Sequence, residues 1–401
     1  MKAPLFSHRH VTKHRLLWAV LLLVFLVGGG FVWRRSREIN EFFLDARVAD
    51  AGDGFSSALE QTVGSPLRPG HKLALLPNGK VFDALIDEIG KARSSVHIEM
   101  YIWKHGEASD RVIAALKKRD PNVKCRILLD WIGSISRGHE VDDGLKEAHC
   151  ELAIFRKFEA LTARNHRKVA VVDGKVGFTG GFGVDDRWTG NAENEDHWRD
   201  TNVRVEGPAV ADMQEAFTED WQEATGVVLP GPIFPKPEEA GPAMGAFVRS
   251  TASPIVTRAD RLSQLMLDAA HERLWIANAY FVPGHPVLEL LGRRAKEGVD
   301  VRLLVPGTKS DSKLSLLMQH REYGELLKRG VRIWEYQPSM MHAKTMVVDK
   351  TLAIIGSVNL DPLSLGKLEE GALVVQAPEL VAEMAKDFEA DCGRAVEQRQ
   401  R

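Results

Sequence analysis

Two stretches of the chain, RNHRKVAVVDGKVGFTGG (Arg164 to Gly181) and MMHAKTMVVDKTLAIIGS (Met340 to Ser357), carry one pattern twice. Each has a histidine, a lysine two residues on and an aspartate five further: His166, Lys168, Asp173 and His342, Lys344, Asp349. The register extends well beyond the motif, because Arg126 precedes His166 by 40 residues and Arg302 precedes His342 by 40. DALIDEIGKARSSVHIEMYIW runs parallel to SQLMLDAAHERLWIANAYFVP, helix into strand, the second ending on Tyr280 where the first has Tyr101, and VKCRILLDW runs parallel to VDVRLLVPG. Downstream, RDTNVRVEGP matches EEGALVVQAP and sets Asp200 opposite Glu370. A repeat of this length is a duplicated domain rather than a solenoid period. The chain must therefore form one fold twice.

Each copy alternates helical and strand patterning. After the Pro-Asn-Gly turn, Phe82, Leu85, Ile86 and Ile89 recur at helical spacing, and Val96 to Trp103 alternates as a strand. This rhythm is that of an α/β layered domain. Five prolines between Leu229 and Pro242 exclude helix or central strand and mark a linker between the copies. The expected organisation is a basic tail and anchor (1–35), a connector (36–70), a first half (71–228), a Pro-rich linker (229–245) and a second half (246–395). The anchor rests on Leu16 to Trp33, 18 residues without a charge and long enough to span a bilayer. Basic residues flank it on both sides, Trp18 and Trp33 lie near its ends, and no A-x-A cleavage pattern follows. A single-pass transmembrane helix in the cell membrane is expected, with the flanking charges too balanced to orient it.

In an extended segment residues i and i+2 share a face, so each histidine projects with its lysine. The aspartate falls on the opposite face, and Asp173-Gly174 between apolar runs signals a hairpin turn. Spacing thus gives Asp173 and Asp349 a turn-fixing or lysine-pairing role more readily than direct participation in the chemistry. Asp200 and Glu370, each at the start of the next strand, become the candidates to hold an imidazole Nδ1–H. Purely structural histidines would not require lysines beside them, since burying a lysine without an anion is costly. Two lysines, two imidazoles and small-residue loops (Gly181; Ser357 and Asn359) form a set suited to clamping a phosphate. One neutral imidazole can attack phosphorus while the other protonates the leaving oxygen, giving a phosphohistidine that an alcohol or water resolves. No metal or other cofactor is called for.

The 401 residues are 44% hydrophobic, enough for two packed halves. A formal charge of −2 provides no global field for nucleic acid, which is not expected as a partner. Three cysteines at no metal-like spacing suggest no disulfide framework, with Cys125 read as a buried thiol in a strand. Trp188, Trp198 and Trp221 read as core residues.

The paired H-x-K-x4-D motifs resemble those of the phospholipase D superfamily over roughly residues 70 to 395. VHIEMYIW, FTGGFGVDDRW, HWRDTNVRVEGPAV, MMHAKTMVVD and GSVNLDPLSL are similar to bacterial cardiolipin synthases. The resemblance implies two mixed β-sheet halves with pseudo-twofold symmetry and the site between them. It also implies phosphatidyl transfer from one phosphatidylglycerol to a second phospholipid alcohol, with release of glycerol. His166 is then the nucleophile, His342 the general acid and base, and the two motif lysines and aspartates belong to the catalytic set. Gly183 stands where many members carry Asn, and Leu368 where many carry another, leaving the acceptor open. Hydrolysis of phospholipid, or less readily of nucleic acid, remains the alternative on the same scaffold.

Overall fold

The computed structural model describes residues 18, 20–24, 27, 53–156, 163–229, 231, 238–253 and 256–400. The chain divides into two units, residues 1–42 and 43–401. In the first, Trp18, Val20 to Val24 and Val27 are helical and exposed. The rest of the expected anchor, and the core of the Pro-rich linker at 232–237, lie outside the described residues. Among the described residues no helix is long and apolar enough to cross a membrane.

The second unit opens with the helix Asp53–Val63. The first copy then supplies β1 (Arg68–Pro77), β2 (Ser95–Met100), β3 (Lys124–Asp130), β4 (Glu151–Phe155), β5 (Val169–Val172), β6 (Val176–Gly180) and β7 (Thr201–Glu206). The second supplies β8 (Ala243–Ser250), β9 (Arg273–Asn278), β10 (Asp300–Pro306), β11 (Arg332–Tyr336), β12 (Lys344–Val348), β13 (Leu352–Gly356), β14 (Glu370–Gln376) and β15 (Ala395–Gln398). The first half-sheet runs β1-β7-β6-β5-β2-β3-β4 and the second β8-β14-β13-β12-β9-β10-β11, with β15 added at its edge. The identical succession is the structural form of the sequence repeat. Each half is mixed: β2, β3 and β4 pair in parallel, as do β9, β10 and β11, and the remaining neighbours are antiparallel.

The halves are not separate sheets. β1 and β8 pair antiparallel, Arg68 opposite Gly245 and His71 opposite Ala243 with a register shift between them, so all fifteen strands form one order. Each strand would otherwise present an unpaired edge, and pairing satisfies the backbone groups of both.

Alternation along the central strands explains why they are apolar throughout. Val169 and Val171 of β5 face a core shared by both halves, with Val203, Val205, Val347, Ile355, Leu373 and Phe388. Ala170 and Val172 face a core drawn mainly from the first half, with Val81, Phe82, Leu85 and Ile89 of the helix Lys80–Lys91 and with Ala279 and Met340 from the second. Burial on both faces removes the polar alternation that a half-exposed strand would show.

Two expectations are corrected. The strand expected over Val96 to Trp103 ends at Met100, and Trp103 instead bridges Val184 and donates its amide to the Ser134 hydroxyl at 3.1 Å. The chain thereby leaves the sheet at Tyr101. Cys125 is not a free thiol but is joined to Cys150 by a disulfide. The parallel register sets Arg126 of β3 opposite Glu151 of β4, which brings the preceding positions 125 and 150 side by side. Spacing of 25 residues carries no hint of that register.

Candidate active site

Two short backbone crossings between the halves position the histidines. His166 N–H donates to the Glu369 carbonyl at 2.9 Å, and Glu369 N–H donates to the Arg164 carbonyl at 2.8 Å. In the counterpart, His342 N–H donates to the Arg199 carbonyl at 2.7 Å and Arg199 N–H to the Met340 carbonyl at 2.9 Å. Each crossing lays the start of one half's strand beside the other half's histidine. Glu370 therefore meets His166, its carboxylate oxygens 2.9 and 3.1 Å from Nδ1, and Asp200 meets His342 with an oxygen 2.8 Å from Nδ1. The acid–imidazole pairs are crossed between the copies. With Nδ1–H given to a carboxylate, each ring turns Nε2 to chemistry, that of His342 lying 3.0 Å from Lys344 Nζ.

The buried guanidinium of Arg167 braces the first crossing. It donates to the Glu370 carbonyl at 3.2 Å and to the Ser250 carbonyl at 3.3 Å, and it pairs with Asp220 at 2.8 Å and Glu369 at 3.2 Å. Arg199 braces the second through Asp391 at 2.7 Å and the Asp200 carbonyl. These arginines hold the two halves at the separation the crossed pairs require.

Both lysines lie under the histidines, 2% exposed each. Lys168 Nζ donates to the His166 carbonyl at 2.6 Å, and Lys344 Nζ to the His342 carbonyl. Aromatic rings enclose the set. Tyr101 packs edge-on against His166 with ring centres 5.0 Å apart, and Trp188 and Trp198 each lie 5.0 Å from His342. The Trp188 indole N–H donates to Asp200 at 2.7 Å, steadying the acid that steadies His342. His166, Lys168 and His342 line a single cavity of about 460 Å³, together with Tyr101, Tyr280 and the two tryptophans.

Burial governs the electrostatics. Desolvation lowers His166 to about 4, with Lys168 and Lys344 adding to it and Glu370 opposing. His342 is likewise driven well below its ordinary value by burial, with the two lysines adding to it. Burial also lowers Lys344 to about 8, against the pull of Asp200 and Glu370, and lowers Lys168 well below the ordinary range. Asp200 is raised to about 6 by burial, which Lys344 and Trp188 only partly offset. Burial pushes Glu370 upward too, but His166, Lys168 and the Ser357 hydroxyl outweigh it and hold the carboxyl below its usual value. Both imidazoles are thus neutral at pH 7, and Lys344, at about 8, carries its charge beneath them. This arrangement suits attack by one imidazole on a phosphate ester and proton exchange by the other.

The remaining candidates divide. Asp173 and Asp349 do not enter the cavity. The Asp173 carboxylate accepts the amides of Arg93, Ser94 and Ser95 at 2.7–3.1 Å, and Asp349 accepts those of His271, Glu272 and Arg273 at 2.6–3.1 Å. At φ of 53° and 49° both sit in hairpin turns, so they anchor β2 and β9 to the motif strands rather than act on substrate. Gly181 and Ser357 are likewise moved out of the phosphate-binding set. A Cβ on Gly181 would lie 2.4 Å from an Asp200 oxygen, so its bareness admits that carboxylate. The fully buried Ser357 hydroxyl donates to Glu370. Asn359 does line the cavity, and its buried Oδ1 has no hydrogen-bond partner among the described residues. Trp188 and Trp198, read from sequence as core, are wall residues of the site. The Tyr101/Tyr280 correspondence was the one sequence signal for this aromatic enclosure.

Replacing Asp349 by alanine is expected to destabilise the fold by about 2–4 kcal/mol, since several backbone donors lose a charged acceptor. Turnover per folded molecule should stay within a few-fold. Denaturation monitored beside activity tests this; unchanged stability with lost turnover would return Asp349 to the chemistry.

Residues 85–221 and 264–392 match the family model described as cardiolipin synthase, phospholipase D-like domain. The chain is 31% identical to cardiolipin synthase 1 of Bacillus anthracis over 95% of its own length and 82% of that protein's. It is 33% identical to cardiolipin synthase A of Pseudomonas aeruginosa over 88% of its length and 73% of that protein's. Among solved structures, phosphatidylserine synthase of Haemophilus influenzae shares the fold with a TM-score of 0.66 at 13% identity, covering 86% of this chain and 92% of that one.

Proposed function

The chain belongs to the cardiolipin synthase, phospholipase D-like family and is a phospholipid phosphatidyltransferase, and from that premise we propose that it joins two phosphatidylglycerol molecules into cardiolipin through a phosphohistidine. The observation that carries the reading is the pair of crossed histidine–carboxylate contacts facing one cavity. His166 Nε2 attacks phosphorus, the P–O bond to glycerol breaks, and His342, protonated once the phosphodiester anion is bound, gives its Nε2 proton to the leaving oxygen. The hydroxyl of a second phosphatidylglycerol then transfers its proton to His342 and attacks phosphorus, the P–N bond breaks, and neutral His166 is restored. Lys168, Lys344 and Asn359 complement the phosphoryl oxygens. Assignment of His166 as nucleophile is supported by its partner, since Glu370 is held ionised and contacts Nδ1 through both oxygens, which stabilises the positive ring of a phosphohistidine. The apolar run Leu16 to Trp33 tethers the enzyme, single-pass, to the bacterial cell membrane that holds its substrates.

Substrate capture should depend on the Lys344 charge. Its value of about 8 lies below the ordinary lysine range, so the cation is present below that pH and is lost as pH rises through it. The expected kcat/KM falls about tenfold per pH unit above that point. Lys344→Arg should move this alkaline limb upward, because guanidinium does not titrate there. An unmoved limb would assign it to another group.

The reading is tested with detergent-solubilised protein and labelled phosphatidylglycerol as the sole phospholipid. Cardiolipin with equimolar glycerol is expected. Phosphatidic acid without cardiolipin would make water the acceptor and the enzyme a hydrolase.

A further inference from the structure

We propose that the mouth of the cavity carries a collar that seats the catalytic unit on the surface of an anionic phospholipid bilayer. The proposal rests on the function above only for the identity of the lipid. The helix Lys313–Lys328 buries Gln319, Tyr323 and Leu326, a stripe at i, i+4 and i+7 facing the protein. By the helical period Leu314, Leu317 and Arg321 fall on the opposite face. Leu314 is 71% exposed and Leu317 55%, so this helix turns large apolar side chains outward at its first turns. A second segment does the same: Leu363, on the loop after β13, is 52% exposed beside exposed Pro362. One exposed leucine has no meaning by itself, but Leu314 and Leu363 both line the cavity that holds His166 and His342.

The charges beside the leucines select the occupant. Lys313 adjoins Leu314, and Lys367 lies on the Leu363 loop; both are exposed. Exposed leucines with flanking cations are the composition of a surface that inserts into the headgroup boundary of an anionic membrane. The two acids nearby are held against the protein: Asp311 accepts the Tyr280 hydroxyl at 2.9 Å, and Asp361 accepts the amides of Leu363 and Ser364 at 2.8 and 3.1 Å. That second contact stiffens the loop, and Ser364 donates its hydroxyl to Glu370, so the seat and the nucleophile's carboxylate share one segment. A cavity of about 460 Å³ is of small-molecule size, suited to headgroups, while acyl chains stay in the bilayer beyond the collar.

The test uses the full chain in phosphatidylglycerol vesicles. Leu317→Cys, in a Cys392→Ser background, carries an environment-sensitive fluorophore. Bromine-labelled acyl chains are expected to quench it, and an unquenched label would overturn the proposal, cross-linking between copies then assigning the collar to a second chain. In parallel, Lys313→Glu with Leu317→Glu should lower turnover at least tenfold on vesicle phosphatidylglycerol, yet leave turnover of a short-chain, monomeric phosphatidylglycerol within twofold. Equal losses on both substrates, or no loss on either, would also overturn it. Should wild type yield phosphatidic acid in place of cardiolipin, the transferase reading fails, while quenching and the vesicle-to-monomer ratio still decide the collar.

Discussion

Replacing either His166 or His342 by alanine is expected to lower phosphatidyl transfer about a thousandfold or more, and replacing both to lower it little further. Neither imidazole is useful alone, since attack without proton delivery leaves a glycerol alkoxide that returns to phosphorus. The two variants should separate on a substrate with a better leaving group. A phosphatidyl ester of p-nitrophenol needs no proton on departure, so His342→Ala should release one equivalent of nitrophenol in a burst and then stall. His166→Ala should show no burst. A burst from His166→Ala and none from His342→Ala would exchange the two roles.

The crossing of the acid pairs leads to the second large effect. Glu370→Gln and Asp200→Asn keep the shape of each side chain but remove the charge that fixes the Nδ1–H tautomer. Losses of about a hundredfold to ten-thousandfold are expected. Each acid should follow the histidine of the other copy. Glu370→Gln should behave as His166→Ala, without a burst, because its carboxylate oxygens lie 2.9 and 3.1 Å from that ring. Asp200→Asn should burst and stall as His342→Ala does, because its oxygen lies 2.8 Å from His342. Stopped-flow traces of the four variants make the comparison. Pairing of each acid with the histidine of its own copy would contradict the geometry.

Much of this arrangement is legible in the chain because duplication supplies an internal alignment. Matching Gly207-Pro208 to Ala377-Pro378 is enough to set Asp200 opposite Glu370, and the odd offset of Asp173 from His166 is enough to suggest a turn. What each acid touches is a different matter. The crossings of Asn165 with Glu369 and of Arg199 with Met341 are isolated bridges between halves, and nothing in local periodicity encodes them. Gly181 and Ser357 illustrate the same limit. Small residues after a strand suit a phosphate loop, yet here one admits Asp200 and the other holds Glu370. Apolar burial disguised Trp188 and Trp198, which satisfy a core and wall the cavity at once. The Cys125–Cys150 bond depends on the parallel register of β3 and β4, a long-range property that residue spacing does not carry.

The most direct measurement is the location of the trapped phosphatidyl group. His342→Ala is mixed with the p-nitrophenyl ester, quenched in alkali to preserve phosphohistidine, digested and sequenced by tandem mass spectrometry. One phosphatidyl adduct per chain on His166 is expected, absent from His166→Ala and Glu370→Gln. An adduct on another residue, or turnover without any adduct, would contradict a site in which one copy supplies the nucleophile and the other supplies the carboxylate that holds it.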